Sequence, residues 1–144
     1  MSYTSGIGGY SISMPEGWER TEDGANVRFA DKLHTFSVDI TCWSGPLTID
    51  TVTSTEIPLL TQSIPAFELV DVTAVSLPAG DAVLVRYHAN SDPDPVTGKQ
   101  HRLDVDRYLL VSNGQMAAIS LAVPSGSDNV DVSNLVSQSF RWTA

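Results

Sequence analysis

Hydrophobic and polar residues alternate over most of this chain, and the alternation reads as strands. Tyr10, Ile12 and Met14 alternate with Ser11 and Ser13, a half-buried strand closed by Pro15. Residues 1–9, ending in Gly6-Ile7-Gly8-Gly9, form a flexible lead-in, and Glu16 to Asn26 is a polar loop. Val27–Ala30 and Thr35–Trp43 follow as strands. Phe36, Val38, Ile40 and Cys42 share one face by period two, which predicts a buried Cys42 with Trp43 pointing the other way.

Leu47 to Ile64 mixes strand-favouring threonines with a helical stripe at Val52, Leu59, Leu60 and Ile64. A helix is predicted there, kinked or broken near Pro58, whose ring removes an amide donor. From Phe67 onward the pattern is an antiparallel meander. Its strands are Phe67–Ser76, Ala82–Ala89, His101–Ser112 and Gln115–Val123, with a turn over Pro78–Asp81. Asn113-Gly114 predicts a two-residue hairpin turn, because both central positions need positive φ. After Pro124, Ser127 or Asp128 can cap a helix carrying Val132, Leu135, Val136, Ser139 and Phe140 at helical spacing.

Composition changes the picture only by exclusion. With 144 residues, 42% of them hydrophobic and 17% charged, the chain can bury a core, and residues 10–144 read as one domain. A formal net charge of −9 repels phosphate backbones and anionic membrane surfaces, so nucleic acid is not an expected partner. No stretch reaches the ~18 apolar residues needed to span a bilayer. One cysteine excludes an internal disulfide and a thiolate metal cage from this chain alone. The first residues lack a basic and apolar leader, which fits a cytoplasmic protein if Met1 is the native start, or the cell envelope if a leader has been trimmed.

No nucleophile elbow, phosphate loop, His-Glu-x-x-His or Cys-x-x-Cys occurs. Gly6 to Gly9 precede a strand, the wrong order for a dinucleotide fingerprint. His88, Asp92, Asp94 and His101 are the most suggestive group. A symmetric connection would set His88 opposite His101, where two imidazoles and loop carboxylates could take a divalent cation. The spacing of the acids does not match a calcium loop, and no metal or cofactor is assigned. Arg86 and Arg107 lie inside apolar strands, where a guanidinium is either paired, here with Asp104 or Asp106, or exposed on a used face.

Tyr10-Ser11-Ile12-Ser13-Met14-Pro15-Glu16-Gly17-Trp18, Leu77-Pro78-Ala79-Gly80-Asp81-Ala82 and Ser139-Phe140-Arg141-Trp142 resemble the PsbP-like superfamily. The nearest likeness is to actinobacterial LpqN-type lipoproteins and their soluble relatives. Asp94-Pro95-Val96-Thr97-Gly98-Lys99 and Pro124 to Asp131 are also similar. The resemblance implies an α+β fold, an antiparallel sheet of about six to seven strands flanked by helices in an α/β/α sandwich. It implies proteins that mostly bind other proteins, and it supplies no catalytic residue. The chain is therefore expected to be a non-enzymatic protein-binding or adaptor module. An intracellular chaperone for a secreted effector, acting as a homodimer, and an extracytoplasmic lipoprotein or sensor domain are the alternatives. The candidate partner-binding residues are Trp43, Arg86, His88, Asp92, Asp94, Lys99, His101 and Arg107.

Overall fold

The computed structural model describes residues 2–5, 9–13, 18–24, 26–31, 34–43, 45, 47–64, 66–90, 96–112, 114–125 and 136–142. Seven strands form one antiparallel sheet: β3 (Glu19–Asp23), β4 (Asn26–Asp31), β5 (His34–Cys42), β6 (Glu68–Leu77), β7 (Gly80–Asn90), β8 (Arg102–Ser112) and β9 (Gln115–Pro124). Their spatial order is β3-β4-β5-β9-β8-β7-β6. A second sheet has β2 (Tyr10–Ser13) between β1 (Ser2–Ser5) and β10 (Arg141–Trp142). The helix α1 spans Ile49–Ser63, and residues 136–139 form a further helical turn. No helix among the described residues is long and apolar enough to cross a membrane.

The central strands are buried on both faces, so the main sheet needs two covers. On one face Phe29, Phe36, Val38, Leu84, Tyr108, Leu110, Ile119 and Leu121 pack against Tyr3, Tyr10, Ile12, Val136 and Phe140. On the other, Val83, Val85, Tyr87, Val105, Leu109 and Met116 pack against Val52 and Leu60 of α1. Successive residues of β9, Met116 through Ile119, serve the two cores in turn. Phe140 stacks on Tyr10, with ring centroids 5.5 Å apart, and meets Trp142 edge-on at 5.2 Å.

Helix α1 starts at a reciprocal cap. The Thr51 amide donates to Thr48 Oγ1 at 3.1 Å, and the Thr48 amide donates to Thr51 Oγ1 at 2.9 Å. It runs unbroken past Pro58, contrary to the expected break. Pro58 and Ser54, whose carbonyl loses an amide partner, are both exposed, so water can satisfy the gap. The buried stripe is Val52, Glu56 and Leu60, while Leu59, expected inside, faces solvent.

Other expectations change for physical reasons. The lead-in contains β1, whose Tyr3 enters the core, and the polar loop contains β3. An edge strand as exposed as β3 has no buried face and hence no apolar alternation to betray it. Cys42 is exposed, because it pairs with exposed Gln115 at a margin the small sheet does not reach. His88 lies opposite Asp104, not His101, and the closing pair of β7 and β8 is Asn90 with Arg102. The symmetric register would have set buried Val85 opposite Asp104 and forced a carboxylate onto the helix-covered face. Asn113 and the expected cap at Ser127 or Asp128 lie outside the described residues.

Gly114 carries φ of +76°, as its hairpin requires. Gly114→Val is expected to lower stability by at least about 1–2 kcal/mol, since a β-branched residue is strained there even though nothing crowds its Cβ. Phe140→Ala is expected to cost about 3–5 kcal/mol. Urea denaturation of both variants checks the pair, and an unchanged midpoint in either contradicts the packing described.

Candidate functional site: the charged end of the main sheet

The pairing of β6, β7 and β8 lines up charged side chains in two rows on one face. Glu68 lies opposite His88, which lies opposite Asp104, and Asp71 lies opposite Arg86, which lies opposite Asp106. This is the face of the small sheet; on β7 and β8 the rows follow the core residues Leu84 and Tyr108, and on β9 they run into the core residues Leu121 and Val123. Arg86 Nε approaches Asp106 Oδ1 at 3.5 Å. Because Arg86 is 54% exposed, that pair contributes about 0–1 kcal/mol. His88 Nδ1 stands 2.6 Å from Asp104 Oδ1, close but poorly aligned for a hydrogen bond, and carries an ion pair only when protonated. Ser125 Oγ donates to the same Asp104 oxygen at 2.9 Å.

Apolar side chains are also exposed at this end of the sheet. A bulge between Leu69 and Asp71 leaves Leu69 and Val70 exposed on β6, and Val96 is exposed in the β7–β8 connection. Arg102 ties the region together. Its Nη1 donates to the Ala66 carbonyl at 2.8 Å and to Asn90 Oδ1 at 3.2 Å, and its Nη2 lies 3.7 Å from Glu68.

Of the residues singled out from the sequence, Arg86, His88, Lys99 and His101 come to this end, the last two exposed in the connection. Asp92 and Asp94 lie outside the described residues. Trp43 sits at the far end of β5, half-buried against the core under α1, its indole N–H without a hydrogen-bond partner among the described residues. Arg107 points beneath α1. Glu68, Asp71 and Arg102 were missed, and alternation could not have found them, since only the strand register sets them beside Arg86 and His88. No group of three or more His, Cys, Asp or Glu gathers as metal ligands among the described residues.

Arg107 belongs to the internal electrostatics. Its Nη2 lies 3.7 Å from Glu56 of α1, its Nη1 donates to Ser120 Oγ at 3.1 Å, and its Nε is buried without a partner among the described residues. The expected partners on its own strand, Asp104 and Asp106, face the opposite side. Burial pushes the Asp39 carboxyl above its ordinary value, and the positive charge of Arg107 offsets part of that. Burial also raises Tyr87, with Arg107 lowering it and Glu56 raising it.

Two consequences are measurable. Glu56→Leu alone strands the Arg107 guanidinium and is expected to cost about 3–5 kcal/mol, whereas adding Arg107→Met recovers most of it, because the pair is loose and nearly buried. Chemical denaturation of the two single variants and the double checks this cycle. Asp39 has a folded pKa above its unfolded value of 3.8, so the native state binds more protons and loses stability as pH rises from 3.8 through the folded pKa. Asp39→Asn removes that loss. Its melting temperature relative to the parent should therefore climb with pH across this window, and a constant difference would contradict the assignment.

No protein-family model and no curated protein matches the sequence. Solved structures do match. Cyanobacterial PsbP (CyanoP) from Synechocystis sp. PCC 6803 superposes with a TM-score of 0.65 at 16% identity, over 99% of this chain and 91% of that one. A protein from Bacteroides thetaiotaomicron gives 0.60 at 14% identity over 99% of this chain, which spans 48% of that longer one. LpqN, involved in cell envelope biogenesis of Mycobacterium tuberculosis, gives 0.56 at 15% identity, over 94% of this chain and 83% of that one. With its mostly antiparallel α+β architecture, the chain has the PsbP-like fold.

Proposed function

We propose that this chain is a non-enzymatic protein-binding module that receives its partner at the β6 end of the main sheet. The observation that carries this reading is the pair of polar rows, Glu68–His88–Asp104 and Asp71–Arg86–Asp106, with Leu69, Val70 and Val96 exposed at the same end of the sheet. Strand backbones hold Asp71, Arg86 and Asp106 in a fixed pattern of alternating sign and set His88 between two acids, which suits selection of a complementary surface. The apolar neighbours supply area whose burial drives association. Lys99 and His101 belong to the same proposed surface through the β7–β8 connection, and Asp92 and Asp94, outside the described residues, are assigned to it from the sequence alone. The structures that share the fold include PsbP and LpqN, and this supports the reading by analogy alone.

A photo-cross-linking residue placed at Val70, at Arg86 and, as a control, at exposed Thr53 of α1 tests the reading in the native host. Adducts with one and the same protein are expected from Val70 and Arg86 and not from Thr53. Adducts of equal yield at Thr53, or none at any site, would overturn it.

A further inference from the structure

Resting on that reading, we propose that β6 is a docking edge for an extended, lysine- or arginine-bearing segment of the partner. The segment adds to the main sheet as an eighth strand and sets one basic side chain into a cleft beside the start of α1.

The edge is built to receive a strand. β6 ends the seven-strand order and, among the described residues, pairs only with β7. The turn at Pro78-Ala79 closes on Leu77 opposite Gly80, so Leu77, Val75 and Thr73 bond inward and Val72, Ala74 and Ser76 present their backbone groups outward. One of these is visible directly, for the Val72 amide donates to Asp71 Oδ1 at 2.9 Å instead of to β7. Exposed edges are ordinarily blunted by a lysine, a proline or a bulge. Here the bulge at Val70 covers only the start of the strand, and residues 72–77 contain neither lysine nor proline.

The chemistry around the edge selects the occupant. A cleft of about 710 Å³ opens between the start of α1 and the β6–β7 hairpin. Leu47, Ile49 and Ala74 supply apolar wall, and Asp50 and Asp81 bring carboxylates. That combination complements a lysine or arginine, whose aliphatic stem can lie on the wall while its charged head meets the acids. Ala74 and Ser76 project toward α1 and are small, leaving room for a side chain from a neighbouring strand. Further along the edge stand Asp71 and Glu68. The nearby cation Arg102 is already engaged by Glu68, Asn90 and the Ala66 carbonyl. A chain of net charge −9 pairing with itself along this edge would bring like charges together, so a basic segment is favoured over a second copy.

The test uses a capped peptide of about ten residues alternating lysine and valine, a glutamate–valine counterpart, and a lysine–valine peptide N-methylated at alternate residues. Titration calorimetry and amide chemical shifts report binding to the full chain. The lysine–valine peptide should bind and shift the Ala74 and Ser76 amides, and the other two should not bind. Ala74→Pro removes an outward amide without taking a ladder bond, and Asp50→Asn with Asp81→Asn removes the acids. Each is expected to weaken binding by about tenfold or more at an unchanged melting temperature. No binding of the lysine–valine peptide, or affinity within about twofold in both variants and for the N-methylated peptide, overturns the proposal. It is equally overturned if the parent chain is a dimer in solution that Ala74→Pro converts to a monomer, since the edge then belongs to a second copy. Cross-links at Val70 and Arg86 that persist alongside a failed peptide test reject only the basic strand, while loss of both rejects the protein-binding reading.

Discussion

Two-sided burial of β8 and β9 is the constraint on which the remaining elements depend. Met116, Ala117, Ala118 and Ile119 are all buried, and because successive side chains of a strand point to opposite faces, neither face of the sheet can be left to water. The chain meets this with unlike covers. Helix α1 closes one side, and the small sheet with the 136–139 turn closes the other. The second cover draws on both ends of the chain, with β10 paired to β2 and Phe140 stacked on Tyr10. Ordering the terminal segments and completing the core are thus one event. Contacts of such long sequence separation are slow to form.

The covers are smaller than the sheet, and the polar chemistry lies at their limits. On β6, β7 and β8, at the margin of the core beneath the small sheet, apolar positions give way to the charged rows, which on β9 meet buried Leu121 and Val123. Where α1 crosses the opposite face, one guanidinium is trapped beneath it and answered by Glu56 from the helix. The two arginines that look equivalent in the sequence therefore serve different ends. Arg86 stands in solvent among acids, and Arg107 helps fix how the helix sits. The cost of that buried pair falls on stability and that of the open edge on aggregation resistance, which is why a β6 left unblunted beyond its bulge is informative.

Sharing the PsbP-like fold at 14–16% identity means sharing a way of covering a sheet more than a set of surface residues. The core positions that specify the architecture tolerate many apolar substitutions of similar volume. The charged rows, the bulged edge and the cleft are surface features, free to differ among chains with the same core. Function on such a scaffold has to be read from the site.

Much of the fold was legible because it rests on local periodicity and turn chemistry. The strands β5 to β9 follow from alternation, and the hairpins β6–β7 and β8–β9 from the turn signals between their strands. What periodicity could not carry was anything decided by a distant partner. β1 and β3 are too short or too exposed to show a buried face, Cys42 shares its strand's apolar face but outruns its cover, and Pro58 is tolerated because its helix turns it to water. The candidate site divides in the same way. Arg86 stands out in the sequence as a charge inside an apolar strand, and its pairing with Asp106 is among the partners expected there, while His88 stands out beside His101. That His88 meets Glu68 and Asp104, and Arg86 meets Asp71, was set by register, in which a slip of one residue exchanges the two faces of a strand. Local sequence determined which segments became strands and which faces were apolar. Tertiary structure decided how the strands aligned and where the covers ended, because those depend on burying both faces of one sheet at once.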